Sequence, residues 1–223
     1  MAVLICHIPI HREVLQIPGL LEEPILQLGF QTIQKAGRRR GAPWREEALP
    51  ADFSYPDLKQ MLQARGLGDV KSLDYFDPRS ELRYDLNLPV PEHEHERYQT
   101  VFDIGTIEHV FDTRQCLESC LRMVKVGGYY VLQTPVKGFS GHGLHTFHPQ
   151  VMVRALTLNG FEIVYLRFTS MVGEPLEHAN EAESSLIWVV GRKTASIAEF
   201  KIPQQDDWGD YYEERLRAVQ EKG

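Results

Sequence analysis

The second half of the chain alternates strand and helix patterns, and this alternation restricts the fold more than any other feature of the sequence. Short apolar runs are typical of buried strands, and longer stretches with apolar side chains every three or four residues are typical of helices. In chain order the pattern is strand, helix, strand, helix, strand, strand, at residues 100–105, 113–125, 126–135, 148–160, 161–168 and 184–193. Such alternation indicates a parallel sheet covered by helices on both faces.

The first half of the chain carries the same kinds of pattern less clearly. Residues 23–29 predict a buried strand that ends on Gly29, and residues 56–66 predict a helix. Two further short strands are expected to end on Asp74 and near Asp85. Residues 30–55 show no periodicity, so we expect an inserted loop or lid there.

These segments together predict one α/β domain over residues 1–197, with a Rossmann-like, doubly wound, mostly parallel sheet of seven strands. The last two strand segments are joined by a loop without helical periodicity, which predicts an antiparallel strand at one edge of the sheet. Gly127 and Gly128 are expected to end the helix that precedes them, and Pro135 to end the strand that follows. Residues 198–223 are rich in charge, so we expect a surface helix or a tail.

The composition limits the class of protein and its partners. The 223 residues are 43% hydrophobic, enough for a sizeable core, and the formal charge of −7 disfavours general binding to nucleic-acid phosphates. No run approaches the roughly 20 apolar residues of a membrane span, and the first residues lack a secretory leader pattern. Three cysteines do not make a closed disulfide framework. We therefore expect a soluble cytoplasmic protein without a membrane partner.

Glycine or polar residues stand where four of the predicted strands end. They are Gly29, Asp74, Asp85 and the pair Gly105 and Thr106. In open α/β sheets, ligands bind beyond the carboxyl ends of the strands. A carboxylate there can accept hydrogen bonds from a ribose diol, and a glycine lets the backbone approach a ligand closely. Asp74 and Asp85 could instead simply begin turns, as aspartate often does.

Several longer segments resemble a known family. The order "FDIGTIEHVFD", "CLRMVKVGGYYVLQTP" and "NGFEIV" is similar to that of the class I S-adenosylmethionine-dependent methyltransferases. The segments "VKSLDYFD", "YDLNLPVPE" and "GHGLHTFHP" resemble a branch of that family with a reduced glycine-rich turn. The resemblance covers residues 24–192, and it implies a Rossmann-like fold and S-adenosylmethionine as cofactor.

The resemblance also implies roles for individual residues. Asp74 would hold the ribose hydroxyls, Asp85 and Leu86 would lie along the adenine, and Gly105 and Thr106 would line the methionine end. The remaining cofactor contacts it suggests are Gly29, Gln31 and Tyr75. Residues Glu108, His109 and His142 would face the transferred methyl group and form the catalytic set. We expect O- or N-methylation of a small or medium-sized acceptor.

The first glycine-rich turn departs from the family pattern. An acid followed by Gly-x-Gly is usual there, whereas this chain has Gln27 in place of the acid and a single glycine, Gly29. A second hypothesis is therefore a binding or scaffold protein that keeps the fold but has lost transfer activity.

The segment "GHGLHTFHP" places His142, His145 and His148 three residues apart. A third hypothesis uses them as metal ligands in a metal-dependent enzyme, but the glycines and proline argue against one helix face, so we predict no metal site. We expect this loop to close over the substrate pocket. If the acceptor is a hydroxyl or an ammonium, then Glu108, His109 or His142 could remove its proton.

Two questions of role and assembly stay open at the level of sequence. Glu108 and His109 could instead cap the helix that follows them by bonding to its backbone N–H groups. The oligomeric state is not written in the sequence, and a homodimer is one option.

Overall fold

The computed structural model describes residues 2–34 and 49–204. Its nine strands are β1 (Ala2–Leu4), β2 (Ile25–Leu28), β3 (Thr32–Gln34), β4 (Val70–Leu73), β5 (Tyr98–Ile104), β6 (Val124–Lys137), β7 (Phe161–Ser170), β8 (Pro175–Leu176) and β9 (Ser185–Lys193). Its four α-helices are α1 (Ile8–Leu15), α2 (Leu58–Ala64), α3 (Thr113–Met123) and α4 (Pro149–Leu158). None of these helices is long and apolar enough to cross a bilayer.

Seven of the strands form one mixed sheet in the order β4-β2-β5-β6-β9-β7-β8. Strands β4, β2, β5 and β6 pair in parallel, while β9 runs antiparallel to both of its neighbours. Strand β8 is antiparallel to β7 at the edge. The predicted doubly wound, mostly parallel α/β fold with an antiparallel edge strand is therefore confirmed. The edge strand is β8, however, and β9, which the sequence placed in an antiparallel pair at the edge, lies inside the sheet between β6 and β7.

Helices cover both faces of this sheet, and each face has its own apolar core. Helices α3 and α4 pack on one face around side chains such as Tyr130 and Val189. Helices α1 and α2 pack on the other face with Trp188 and Phe102. Adjacent residues of one strand thus enter different cores, because side chains alternate across a strand. The buried runs predicted as strands are apolar throughout for this reason.

Three boundary predictions were wrong. Helix α3 ends at Met123, and Gly127 and Gly128 lie inside β6, where the register against β5 shifts. The buried ammonium of Lys193 stabilises this helix end by donating to the carbonyl oxygens of Leu121, at 3.2 Å, and Val124, at 2.7 Å. Strand β6 also continues past Pro135 to Lys137.

The segments between clear elements differ in part from expectation. The strand expected near Asp85 is reduced to one parallel bridge between Leu73 and Leu82. The predicted loop or lid at 30–55 begins with β3, which pairs in parallel with β1, and residues 35–48 lie outside the described residues. In the predicted tail, Lys201 bonds through its backbone to Asn159, and residues 205–223 also lie outside the described part of the chain.

Candidate functional site

The carboxyl ends of β2, β4 and β5 lie together at one end of the sheet, which we call the carboxyl end of the sheet. Leu28, the last residue of β2, lies opposite Leu73 of β4 and Asp103 of β5. Gly29 N–H donates to the Leu73 carbonyl oxygen at 2.7 Å. The structure therefore brings three of the predicted cofactor residues, Gly29, Asp74 and Gly105, to the carboxyl end of the sheet.

Both glycines at these strand ends adopt left-handed backbone conformations. Gly29 has φ +69° and Gly105 has φ +78°, values that side-chain-bearing residues adopt at a cost. A Cβ on Gly105 would lie 3.3 Å from Glu108 Oε1. The missing side chain at position 105 therefore leaves room both for the backbone turn and in front of the Glu108 carboxylate.

The Asp74 carboxylate is held in a fixed orientation by backbone donors. Oδ1 accepts N–H bonds from Phe76 at 2.9 Å and Asp77 at 3.0 Å, and Oδ2 accepts one from Phe30 at 3.2 Å. The turn-forming role considered for Asp74 is thus present. Because Oδ2 has only one of these donors, it keeps acceptor capacity for a ligand hydroxyl. Next to it, the side chain of Tyr75 is exposed and packs edge-to-face on Phe76.

Gln31 is placed differently from expectation. Its side chain is fully buried, and Nε2 donates to the carbonyl oxygens of Leu28 at 2.7 Å and Ile104 at 3.0 Å. These two bonds join the ends of β2 and β5 beneath the surface. In this arrangement Gln31 supports the two strand ends and has no exposed atom to offer a cofactor.

Replacing Gln31 by leucine should lower the free energy of unfolding by about 1 to 3 kcal/mol, because the Ile104 carbonyl oxygen would lose the Gln31 donor and the Leu28 carbonyl oxygen would keep only Thr106 Oγ1 as a side-chain donor. Urea unfolding of both proteins measures this difference. Gln34→Leu, an exposed glutamine in β3, is the matched control and should change stability by less than about 0.5 kcal/mol. A Gln31→Leu variant as stable as the parent would contradict the supporting role.

The two residues predicted to lie along the adenine, Asp85 and Leu86, have clear contacts within the described structure. Asp85 Oδ1 accepts from the backbone and side-chain nitrogens of Asn87, at 2.9 and 2.8 Å, which is a turn. Leu86 is buried in the core beside α3. The turn considered for Asp85 is therefore present and Leu86 packs in the core, while their contact with an adenine stays a prediction.

A buried network beneath the site involves residues that sequence reasoning missed. The Asp103 carboxylate accepts from Tyr130 OH at 2.6 Å and from the N–H groups of Thr106 and Ile107 at 3.0 and 3.3 Å. Burial raises the pKa of Asp103 to about 6 despite these donors. Thr106 Oγ1 donates to the Leu28 carbonyl oxygen at 3.0 Å. An acid inside the apolar run 100–105 was the available sequence signal.

Glu108 lies in a short 3-10 turn, Ile107–His109, directly after this network. Its side chain is 2% exposed, and Oε2 accepts from Thr134 Oγ1 at 3.1 Å. Burial, together with the nearby Asp103, raises the pKa of Glu108 to about 7. The cap interpretation does not describe it, because α3 is capped by Asp112, whose carboxylate accepts from Gln115 N–H.

The loop after β6 places a histidine beside Glu108. His142 Nε2 lies 4.0 Å from Glu108 Oε1, and its ring centroid is 5.0 Å from that of His109. The backbone N–H groups of Leu144 and His145 both donate to the Glu108 carbonyl oxygen, at 2.7 and 3.1 Å. The three residues predicted to be catalytic therefore form one cluster, which we call the EHH cluster (Glu108, His109 and His142).

The other two histidines of this loop do not join the cluster. His145 contacts the Phe111 carbonyl oxygen through Nε2 at 3.2 Å, and His148 Nδ1 accepts from Gln150 N–H at the start of α4. Within the described residues, the only group of possible metal ligands that includes His142 is the EHH cluster. The metal hypothesis based on His142, His145 and His148 is thus not supported by their placement.

Comparison with known proteins identifies the fold. Over 85% of this chain and 77% of the other, the structure is similar to the 1,6-didemethyltoxoflavin-N1-methyltransferase of Burkholderia thailandensis, solved with bound 1,6-didemethyltoxoflavin and S-adenosylhomocysteine (TM-score 0.50, 12% identity). It is also similar to an S-adenosylmethionine-dependent methyltransferase from Mesorhizobium loti, over 84% and 98% of the two chains (TM-score 0.51, 13% identity). This chain has the class I methyltransferase fold.

The methyltransferase fold is shown by structure and not by sequence similarity. No protein-family model matches the chain, and no curated protein matches its sequence. The assignment of the acceptor and the activity therefore depends on the residues at the carboxyl end of the sheet.

Proposed function

We propose that the protein is an S-adenosylmethionine-dependent methyltransferase with a small or medium-sized acceptor. The main observation behind this proposal is that an oriented Asp74 carboxylate and the left-handed Gly29 and Gly105 lie together at the carboxyl end of the sheet. In open α/β sheets, ligands bind beyond the carboxyl ends of the strands. The chain's similarity to two methyltransferase structures supports the same assignment.

The residues present fit this cofactor. Asp74 offers acceptor capacity at Oδ2 for ribose hydroxyls, and the exposed ring of Tyr75 offers an apolar surface beside it. A side chain at position 105 would fill the space before Glu108, so the glycine leaves a cradle for the amino-acid end. When bound, S-adenosylmethionine supplies a methyl group whose sulfonium sulfur keeps the electron pair as the methyl leaves.

The EHH cluster would lie on the acceptor side of the site. Glu108 is fixed by Thr134 and by the backbone bonds of the loop that carries His142, so the cluster is in place before an acceptor binds. Holding an acceptor in line with a reacting methyl group supplies much of the rate in such transfers. The three side chains are therefore proposed to position an acceptor hydroxyl or amine.

One observation favours the alternative, a scaffold that has lost transfer. Gln27, which stands where the family has an acid, is fully buried, and neither of its amide atoms has a partner in the described structure. Its side chain therefore cannot replace an acid at the surface of the site. Under this alternative the carboxyl end of the sheet would bind no S-adenosylmethionine.

Binding of S-adenosylhomocysteine distinguishes the two possibilities. Asp74→Asn removes the charge but keeps an acceptor for the local turn, and it should weaken binding by about 10- to 100-fold, since a hydrogen bond to a charged group contributes about 1.5–3 kcal/mol. Calorimetry gives the affinity, and thermal unfolding without ligand checks folding. Asp69→Asn is the matched control and should bind like the parent. Asp69 is exposed and directly precedes β4, at the amino end of that strand.

Two outcomes would overturn the proposed cofactor site. One is a parent protein with no thermal shift at millimolar S-adenosylhomocysteine, which favours the scaffold. The other is an Asp74→Asn variant that binds as tightly as Asp69→Asn.

A further inference from the structure

The EHH cluster has the composition of a metal site. It combines one carboxylate and two imidazoles, and its ligand atoms all lie within 4.8 Å of one another. Two histidines with one carboxylate is a donor set used by zinc and by non-haem iron, with positions left open for a substrate. Ligand atoms around a tetrahedral zinc lie about 3.4 Å apart, given bonds of about 2.1 Å. A small change in the exposed His142 side chain would bring its present 4.0 Å separation from Glu108 into that range.

The surroundings orient the cluster as the second shell of a metal site would. Thr134 Oγ1 donates to Glu108 Oε2, which fixes the carboxylate and leaves Oε1 toward His142. Gly143 approaches so closely that an added Cβ would lie 2.9 Å from the Glu108 carbonyl oxygen. The loop that carries His142 is therefore held against the turn that carries Glu108 and His109. Outer-shell contacts of this kind are typical of metal ligands.

A buried carboxylate keeps its charge only beside a compensating positive charge, and otherwise it takes up a proton. Glu108 is 2% exposed, and among the described residues the only basic side chain within 4.0 Å of its carboxylate is His142. A bound cation would supply that charge.

We infer that Glu108, His109 and His142 bind one divalent transition-metal ion, with Zn²⁺ and Co²⁺ as the fitting probes, and that an oxygen of the methyl acceptor takes an open position on it. The metal site does not depend on the proposed methyl transfer, whereas the acceptor's role does. Mg²⁺ fits less well because it prefers oxygen ligands to imidazole. The acceptor class would then be an alcohol, phenol or other oxygen donor, since a metal ion lowers the pKa of a bound hydroxyl.

The other group of possible ligands within the described chain has a structural explanation. Glu177, His178 and Glu181 are all exposed, and Glu181 accepts the backbone N–H groups of Glu177 and His178. This is a cap on a short helical turn, and it serves below as the competing site.

The test uses the full chain, freed of metal with a chelator that is then removed. Titration with Zn²⁺ in a calorimeter should show one site, and Co²⁺ should give the visible absorption of a nitrogen- and oxygen-ligated ion. His142→Ala, at an exposed position that tolerates truncation, should weaken binding at least tenfold, and Thr134→Val by roughly 10- to 100-fold. His145→Ala, on the same loop, and His178→Ala are matched controls that should bind like the parent. At a hundredfold excess over the dissociation constant, Zn²⁺ should raise Tm by roughly 5–10 °C.

Three results would overturn the metal site. They are a parent protein that binds neither ion, a His142→Ala variant that binds like the parent, and binding that His178→Ala removes. S-adenosylhomocysteine binding, measured without metal on the same proteins, separates this inference from the proposed function. If that binding is absent while the metal titration is intact, the cofactor site fails and the metal site stands.

Discussion

Gly105→Val is expected to reduce the affinity for S-adenosylhomocysteine by more than about 100-fold, equivalent to at least about 2.8 kcal/mol. Position 105 has φ +78°, which costs a residue with a side chain about 1–2 kcal/mol. A Cβ there would already lie 3.3 Å from Glu108 Oε1, and the two further methyl groups of valine would extend into the space proposed for the amino-acid end of the cofactor. Strain and steric exclusion act in the same direction.

A second glycine separates these two effects. Gly127 has φ +86° and lies near the start of β6, at the opposite end of the sheet from Gly105. A Cβ on Gly127 would meet no atom within 4 Å. Gly127→Val should therefore lower stability by a similar amount but leave the affinity unchanged. Calorimetry with S-adenosylhomocysteine and thermal unfolding of both variants give the two quantities. Equal affinity losses in both variants would attribute the effect to stability and contradict a cradle at Gly105.

The strands that could be predicted correctly are those with a long apolar run in their own sequence. The four strand segments at 100–105, 126–135, 161–168 and 184–193 contain β5, β6, β7 and β9 or most of their residues. They are apolar on both faces because helices cover both sides of the sheet. Strands β1, β3 and β8 have only two or three residues each, too few to show a pattern of their own, and β1 and β3 pair with each other across about 30 residues.

The site residues follow the same distinction. The positions of Asp74 and Gly105 could be predicted because the end of a strand is visible in the local sequence. In a parallel sheet, the carboxyl ends of neighbouring strands lie at the same end of the sheet. The burial of Gln31 could not, because it depends on how the chain turns after Gly29 and packs beneath β5. The glycines of the loop at 141–143 argued already in the sequence against a joint role of His142, His145 and His148, and the left-handed backbone at Gly141 and Gly143 accompanies their different partners.

His11 should lower the stability of the fold in mild acid, whereas Asp103 and Glu108, whose pKa values are raised by burial, act in the opposite direction. His11 lies in α1 between the rings of Trp188, at 4.9 Å, and Phe53, at 6.2 Å. Burial, with a smaller contribution from His7, lowers the pKa of His11 from 6.5 to about 3. Burial also lowers the pKa of His7, whose Nε2 contacts the Ser170 carbonyl oxygen.

The sign follows from proton uptake. Between pH 6.5 and pH 3 the unfolded chain binds a proton at His11 that the folded chain does not, so the free energy of unfolding decreases as the pH falls through this window. Each pH unit costs about 1.4 kcal/mol, so His11 removes about 2 kcal/mol between pH 6.5 and pH 5. His7 adds to this loss in the same direction. The change is large relative to a typical total stability of about 5–15 kcal/mol.

His11→Leu replaces the imidazole by an apolar side chain of similar size that cannot bind a proton. Between pH 7.5 and pH 5, urea unfolding should therefore show a change in the free energy of unfolding that is about 2 kcal/mol more negative for the parent than for the variant. His93→Gln removes an exposed histidine, with 67% of its side chain accessible, and should keep the full pH dependence of the parent. If His11→Leu and His93→Gln showed the same change in stability between the two pH values, His11 would have to accept a proton within the fold. The packing of α1 against Trp188 would then have to open in mild acid so that water reaches the imidazolium.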